Sequence, residues 1–434
     1  MKRALLGLAA FASFTLHCGA LSELIVRGVS TDASARPACV PRDPPQEICN
    51  GRDDDCNGQV DEGLFFGPLG PSVELRNREG DTGNESRCSS CRWAWSPVIA
   101  PLHDGTFQVR WYIGIYGGAE QPNIFTRVVD ANGNPTGSLV REPRDVLLAQ
   151  TQIALEPLRD GSSAIGVSFR DGTDDVPGWQ IVHADGSVAS VRAPRGTRYR
   201  TPSWISSERI FGGWSGSSTI GADSSRFDAT SAGSTSAPLT MSFALASAGF
   251  ADHGGIIAAT VRGSERPVYF LGVSPSGNVD TAPHEIAVPY ESYPRLVGVS
   301  DGYLVIIPGS RTTVARRVRL DLHGEPIGPA VAFEDGRHLS DSGLLDGFVH
   351  HASEPAIGGA WQDVSMTEHS PMHVERLDES GHVVASWSGP APGSGTLTSP
   401  SILFTGDRML IAWHDIAPDN TANNVYVQPF GCIP

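Results

Sequence analysis

Short apolar runs separated by glycine- or proline-containing turns recur about every 50 residues, and self-similarity at a fixed period predicts a repeat fold. Each repeat has a first strand, a second strand, and a third strand ending in a turn whose glycine can supply positive φ. The predicted first strands are residues 96–102, 152–158, 202–205, 246–250, 294–299, 342–345 and 400–404. The predicted second strands are residues 107–111, 164–169, 209–214, 256–261, 303–307, 356–361 and 409–413. The predicted turns are Asp130–Gly133, His183–Gly186, Asp228–Gly233, Ser274–Gly277, Asp321–Gly324 and Asp378–Gly381.

The seventh repeat ends at Val425–Phe430 without a fourth strand. Its missing strand has a counterpart near the N-terminus, because Pro68-Leu-Gly-Pro-Ser-Val73 matches Pro326-Ile-Gly-Pro-Ala-Val331 of the fifth repeat. Residues 66–76 are therefore predicted to complete the last blade, which removes the two open sheet edges of a linear stack. The sequence predicts an all-β fold, a seven-bladed β-propeller over residues 65–434, with a tandem of β-sandwiches as the alternative.

Four tryptophans, Trp111, Trp214, Trp361 and Trp413, recur at equivalent positions of the second strands. Aromatic side chains contribute large apolar surfaces to packing. We interpret these tryptophans as packing residues of the blades rather than as a stacking platform for a ligand.

The N-terminus has a basic start, Met1-Lys-Arg, an apolar run over residues 4–16, and Cys18. This order predicts an export signal too short to span a membrane. It resembles a bacterial lipoprotein signal, which implies a signal peptide over residues 1–17 and lipidation of Cys18; ordinary secretory cleavage is the alternative. Polar, proline-containing residues 18–46 are predicted to be the anchor and a flexible tether. We expect an outer-membrane lipoprotein of the cell envelope, or a secreted protein, that contacts the membrane through its lipid alone.

Cysteine counting agrees with export. Without Cys18, six of the seven cysteines remain, which suffices for three disulfides in an oxidising compartment. The candidates are Cys39, Cys49, Cys56, Cys88, Cys91 and Cys432. Cys49 and Cys56 could clamp the acidic loop between them, and a bridge from Cys432 to Cys88 or Cys91 would lock the closure of the ring.

Residues 47–64 form an acidic loop with the ligand spacing of a calcium site. Oxygen donors at alternate positions around a glycine favour calcium over zinc or copper. The candidate ligands in order are Asp53, Asp55, Asn57, the carbonyl of Gln59, and Asp61, with Glu62, Glu47 or water in place of the glutamate that ends an EF-hand loop. An acidic disulfide-bonded knob without an ion is the alternative.

Residues 47–62 read Glu-Ile-Cys-Asn-Gly-Arg-Asp-Asp-Asp-Cys-Asn-Gly-Gln-Val-Asp-Glu. This stretch resembles the metal-binding motif of the copper-binding MopE type, which is frequent in exported bacterial proteins. The resemblance covers these residues alone and implies export and metal binding, with copper as the metal.

The chain carries 48 acidic and 32 basic residues, a net charge of −16. This balance argues against nucleic-acid binding and against electrostatic binding to anionic membranes. We expect a monomer. Long loops between second and third strands are predicted in repeats 1, 2, 6 and 7, next to one another in a closed ring. Their acidic residues form a candidate ligand face, with solvated loop tips as the alternative: Glu120, Asp171, Asp174, Asp175, Asp363, Glu368, Asp415 and Asp419.

Three motifs with catalytic or metal-binding patterns have structural explanations. Gly298-Val-Ser-Asp-Gly302 fits a nucleophile elbow, but a strand follows it where that motif requires a helix. Cys88-Ser-Ser-Cys91 lacks a following helix that would activate a thiol. His369, His373 and the pair His350-His351 lack the spacing of a helical metal site. We therefore expect a non-enzymatic propeller that binds a protein or glycan at the cell surface; a propeller hydrolase or lyase of glycans and a copper-binding surface protein are the alternatives.

Overall fold

The structure is a computed structural model. It describes residues 55–56, 64–75, 93–102, 104–114, 123–141, 146–148, 163–171, 174–183, 187–192, 200–205, 209–215, 219–226, 232–239, 242–250, 253–260, 267–288, 294–309, 313–339, 346–350, 355–363, 371–391, 397–406, 408–416 and 423–433. These residues form strands and turns and include no helix. Accordingly, the described part of the chain has no apolar helix of membrane-spanning length.

The strands follow one another as antiparallel meanders. In chain order they are β1 (Phe65–Pro68), β2 (Val73–Glu74), β3 (Trp93–Pro101), β4 (Phe107–Gly114), β5 (Asn123–Val129), β6 (Val140–Arg141), β7 (Val146–Leu148), β8 (Ser163–Asp171), β9 (Asp174–Val182), β10 (Val188–Arg192), β11 (Arg200–Ile205), β12 (Arg209–Ser215), β13 (Thr219–Arg226), β14 (Ala232–Pro238), β15 (Ser242–Phe250), β16 (His253–Thr260), β17 (Val268–Val273), β18 (Val279–Ile286), β19 (Arg295–Val299), β20 (Gly302–Ile307), β21 (Arg316–Leu320), β22 (Val331–Ala332), β23 (Asp346–His350), β24 (Ala356–Gln362), β25 (Met372–Asp378), β26 (Val383–Gly389), β27 (Leu397–Thr405), β28 (Arg408–Ile416) and β29 (Asn423–Ile433).

The described strands make seven sheets. Sheets 1 to 6 are the successive four-stranded groups β3–β6, β7–β10, β11–β14, β15–β18, β19–β22 and β23–β26, and sheet 7 joins β27–β29 to β1 and β2. Each sheet except the last is therefore built from consecutive strands, as the repeat period predicts.

The first and the last described strands meet in sheet 7, as predicted. Phe65 lies opposite Ile433 and Val73 opposite Val427, so β1 and β2 add to the free side of β29. The backbone amide of Leu69 donates to the carbonyl of Pro429 at 2.9 Å, and the side-chain Nε2 of Gln428 donates to the carbonyl of Gly70 at 2.9 Å. We call residues 65–75 the latch.

Apolar cores lie between neighbouring sheets, because successive side chains of a strand point to its two opposite faces. In β16, Ile256 and Ala258 belong to the core shared with sheet 3, and Ile257 and Ala259 to the core shared with sheet 5. Further cores join sheets 5 and 6, sheets 6 and 7, and sheets 7 and 1; the last contains Leu75 of the latch. Face-to-face packing of successive four-stranded meanders is the arrangement of a β-propeller.

The turns between third and fourth strands have the predicted form. Gly133, Gly277, Gly324 and Gly381 all have positive φ, and each amide donates to the carbonyl of the first turn residue. In the Asp130 turn, the side-chain Oδ1 accepts the amides of Asn132 and Asn134, both at 2.8 Å. The Asp321 and Asp378 turns repeat this pattern. The predicted turns at residues 183–186 and 228–233 lie largely outside the described residues.

Two predicted first strands, residues 342–345 and 152–158, lie outside the described residues. The described first strand of sheet 6 is Asp346–His350, which pairs with β24. The described first strand of sheet 2 is Val146–Leu148, which pairs with β8.

Candidate functional site

One edge of the sheets carries the connections between second and third strands and the crossings from one sheet to the next. We call it the loop edge; the opposite edge, with the turns between third and fourth strands, is the turn edge. The connections span residues 115–122, 261–267, 308–315, 363–371 and 417–422 in sheets 1, 4, 5, 6 and 7, but only residues 172–173 and 216–218 in sheets 2 and 3.

The prediction of a long loop in the second repeat was wrong. Strand pairing continues to the end of the hairpin, where Asp171 lies opposite Asp174 and Arg170 opposite Asp175. The three aspartates are therefore strand residues beside a two-residue connection. The sequence interpretation also missed the long connections of sheets 4 and 5. The five sheets with long connections between their second and third strands are therefore sheets 4, 5, 6, 7 and 1.

The other predicted ligand-face residues are dispersed. Asp363 follows β24 on the loop edge, half-buried. Asp415 is not at a loop tip, because β28 continues to Ile416 and the side chain is 3% exposed. Glu120, Glu368 and Asp419 lie outside the described residues.

A stacked aromatic pair supports the loop edge in three neighbouring sheets. In each, the tryptophan of the second strand lies directly opposite an aromatic residue of the third: Trp361 and His373, Trp413 and Tyr426, and Trp111 and Phe125. No described strand pair of sheets 2 to 5 has this combination. All three tryptophans are buried, which confirms their interpretation as packing residues.

Polar side chains are buried just below the connections of sheets 6 and 7. The side-chain Oε1 of Gln362 accepts the amide of Leu397 at 3.0 Å and so joins the two sheets. Asp415 lies opposite Asn424 in the register of β28 and β29, and both are buried, as is His414. A polar layer therefore lies between the apolar cores and the loops.

The crossing from sheet 5 to sheet 6 inserts Arg337, which is 1% exposed, beneath the loop edge. Its guanidinium donates to Asp335 at 2.7 Å and forms an ion pair with the buried Glu375. It also lies 4.1 Å from the ring centroid of Phe333 and 4.7 Å from that of Trp361. Burial raises the pKa of Glu375 although the charge of Arg337 opposes this shift.

The imidazole of His373 lies flat on the indole ring of Trp361. The two ring centroids are 4.0 Å apart and the planes 7° apart. Partial burial, followed by the charge of Arg337, lowers the pKa of His373, so the ring is neutral at pH 7.

The sequence interpretation missed Arg337 and Glu375, since a lone arginine in a crossing and a glutamate within a strand carry no recognisable motif.

The turn edge brings together Ser300, His350 and Glu379. Glu379 accepts the Ser300 hydroxyl at 2.5 Å and the Ser300 amide at 2.9 Å, and its other contact is His350 Nε2 at 2.8 Å. Burial alone would raise the pKa of Glu379, but the bonds from Ser300 and His350 lower it. The carboxylate lies between the serine and the histidine, so the histidine does not serve as a base toward the serine, unlike in a serine-hydrolase triad. This cluster ties sheet 5 to sheet 6.

Most of the predicted metal site lies outside the described residues. Of its candidate ligands, only Asp55 is described. Asp53, Asn57, Gln59, Asp61, Glu62 and Glu47 fall outside, as do Cys18 and His369. Within the part of the chain that the structure describes, no group of three or more His, Cys, Asp or Glu side chains has metal-binding geometry.

Cys56 and Cys432 are each disulfide-bonded. All other cysteines lie outside the described residues, so the predicted bridges from Cys432 to Cys88 or Cys91 and between Cys49 and Cys56 stay predictions.

No protein-family model matches the chain, and no curated protein sequence matches it. The chain is similar to the structure of an unknown-function protein from Dyadobacter fermentans at 9% identity and a TM-score of 0.49, covering 86% of this chain and 100% of that one. It is also similar to the β-propeller domain of the Trilobed protease from Pyrococcus furiosus, at 5% identity and a TM-score of 0.48, covering 78% and 96%. The chain is similar to the NanB sialidase from Streptococcus pneumoniae at 10% identity and a TM-score of 0.41, covering 80% of this chain and 69% of that one.

Proposed function

We propose that this protein is an exported, lipid-anchored β-propeller that binds a protein or glycan ligand on its loop edge and catalyses no reaction. The supporting observation is the stacked aromatic pair that sheets 6, 7 and 1 share beneath their long connections. Loops that carry binding residues need a rigid support, because a ligand otherwise has to order them at an entropic cost.

A closed seven-bladed ring is part of this proposal. Shared cores join sheets 3, 4, 5, 6, 7 and 1 in that order, and β3 of sheet 1 contacts β8 of sheet 2. Packing of sheet 2 against sheet 3 would complete the circle. The latch supports this closure, since it supplies the strand that the last sheet otherwise lacks.

We infer that the protein is not catalytic because its buried ionisable groups pair with other side chains of the fold. Arg337 and Glu375 neutralise each other away from solvent, and Glu379 accepts hydrogen bonds from Ser300 and contacts His350. A general base needs a pKa near the working pH, whereas the pKa of Glu379 is lowered.

The anchor and the acidic loop complete the proposal. Lipidation of Cys18 would place the protein on the outer membrane, and calcium held by the loop of residues 47–64 would stiffen the segment that precedes the latch. Titration calorimetry with calcium and with copper separates the two metals. Copper binding that survives Asp53→Ala and Asp55→Ala would contradict the calcium assignment.

The ligand proposal is tested on an array of neutral, amino and acidic glycans, and product release from the same glycans is measured in parallel. A matched variant replaces residues 363–371 by Asn-Gly, which a tight hairpin accepts. Binding by the natural chain without product release, lost in this variant, supports the proposal. Product release would instead favour a propeller hydrolase or lyase, and binding that survives the loop replacement would contradict a ligand site on this edge.

A further inference from the structure

The aromatic partner of the second-strand tryptophan differs in kind among the three sheets. In sheets 1 and 7 it is Phe125, 6% exposed, and Tyr426, 9% exposed. In sheet 6 it is His373, which is half-buried. Packing alone accounts for a buried phenylalanine or tyrosine, but a half-buried neutral imidazole at the same position requires another explanation.

His373 is held in a fixed orientation with its nitrogens available. Its ring lies against Trp361, which in turn contacts the guanidinium of Arg337. No hydrogen bond from a described residue reaches either ring nitrogen. His373 is the second residue of β25, and residues 363–371 before this strand are the longest connection between a second and a third strand. A neutral imidazole offers one donor and one acceptor.

Two aspartates lie near this imidazole. Asp335 binds Arg337, and its side chain is 44% exposed at the loop edge. Asp363 follows β24 directly, two residues after Trp361. The charges of Asp335 and Asp363 both act against the lowering of the pKa of His373, so two carboxylates lie close to this imidazole.

We infer that His373, with Asp335 and Asp363, forms a subsite for a neutral or amino-sugar glycan on the loop edge of sheet 6. Sugar hydroxyls can donate to the two carboxylates and bond to either imidazole nitrogen, and the stacked rings give an apolar surface beside them. Acidic glycans are disfavoured because their carboxylates would meet Asp335 and Asp363. This inference rests on the proposed function and selects glycans over proteins as the ligand.

The test measures affinity for the best-binding neutral or amino glycan of the array in the natural chain, in His373→Phe and in His323→Phe. The first variant keeps the stacked ring and removes its hydrogen bonds, so the dissociation constant should rise about tenfold, the effect of one lost hydrogen bond. The second makes the same change at an exposed position on the turn edge and should leave affinity unchanged. Equal thermal unfolding of the three proteins excludes a folding defect.

Three results would overturn the subsite. The first is unchanged affinity in His373→Phe, and the second is preferential binding of acidic glycans. In either case, if replacement of residues 363–371 still abolishes binding, the loop edge remains the proposed ligand site. Absence of binding to every glycan would reject glycans as the ligand class.

Discussion

A Cβ atom built on Gly133 would lie 3.1 Å from Cγ1 of Val427, so the Asp130 turn of sheet 1 rests on the last strand of sheet 7. The same glycine of sheet 4, Gly277, approaches Phe211 of sheet 3, and Gly381 of sheet 6 approaches Leu304 of sheet 5. Sheet 1 thus contacts sheet 7 as sheets 4 and 6 contact the sheets before them, although the strands of sheets 1 and 7 are far apart in sequence.

Replacement of this glycine tests the contact. Gly133 has φ of 80°, so Gly133→Ala should cost about 1–2 kcal/mol from the backbone alone. The crowded neighbour should add to this cost. Gly105→Ala is the matched control, since Gly105 has φ of 76° but no atom within 4 Å of the new methyl group. Urea unfolding compares the two variants, and an equal loss of stability would mean that the turn does not press on sheet 7.

Loss of the buried leucine side chain of the latch should destabilise the fold. Leu75 is fully buried in the core between sheets 7 and 1, and its amide donates to the carbonyl of Val425 at 2.9 Å. Leu75→Ala should therefore cost about 2–5 kcal/mol. Phe65→Ala, also in the latch but 74% exposed, should change stability by less than about 0.5 kcal/mol. Similar urea midpoints for both variants would indicate that the latch does not stabilise the fold.

Removal of Arg337 should leave a buried carboxyl group without its counter-charge. Arg337→Met should cost about 3–5 kcal/mol, because Glu375 is 1% exposed. Arg337→Met combined with Glu375→Leu should recover much of this loss, since the second change removes the isolated charge. Thermal and urea unfolding measure the coupling, and purely additive losses would argue against a direct ion pair.

The pH dependence of stability should include a contribution from Glu379. Its pKa in the fold is below the ordinary value of 4.5, mainly because Ser300 and His350 bond to the ionised form against the effect of burial. A lowered pKa stabilises the fold above pH 4.5, and this contribution is lost as pH falls through the lower, folded value. Glu379→Gln should therefore flatten the fall in stability below pH 4.5. Identical pH profiles for both proteins would contradict the role of this carboxylate.

Local sequence patterns predicted the sheets well. The Asp/Ser-x-x-Gly turns and the second strands follow from glycine conformation and from short apolar runs, both of which act within a few residues. The likeness of residues 68–73 to residues 326–331 also predicted the latch, since equivalent strands carry equivalent residues. Loop lengths were less predictable: the acidic stretch around Asp174 is polar enough for a loop, but pairing with β8 makes it a strand.

The sequence by itself determined the repeat, its turns and the strand that closes the last sheet, because each depends on residues close together or on a repeated pattern. Only the tertiary structure placed Arg337 against Glu375 and Trp361, and His373 on that same ring. These contacts join a crossing to two strands of the next sheet, and no periodicity links such positions. Whether Asp415 is a buried strand residue or a loop tip was likewise decided by how far its strand continues to pair.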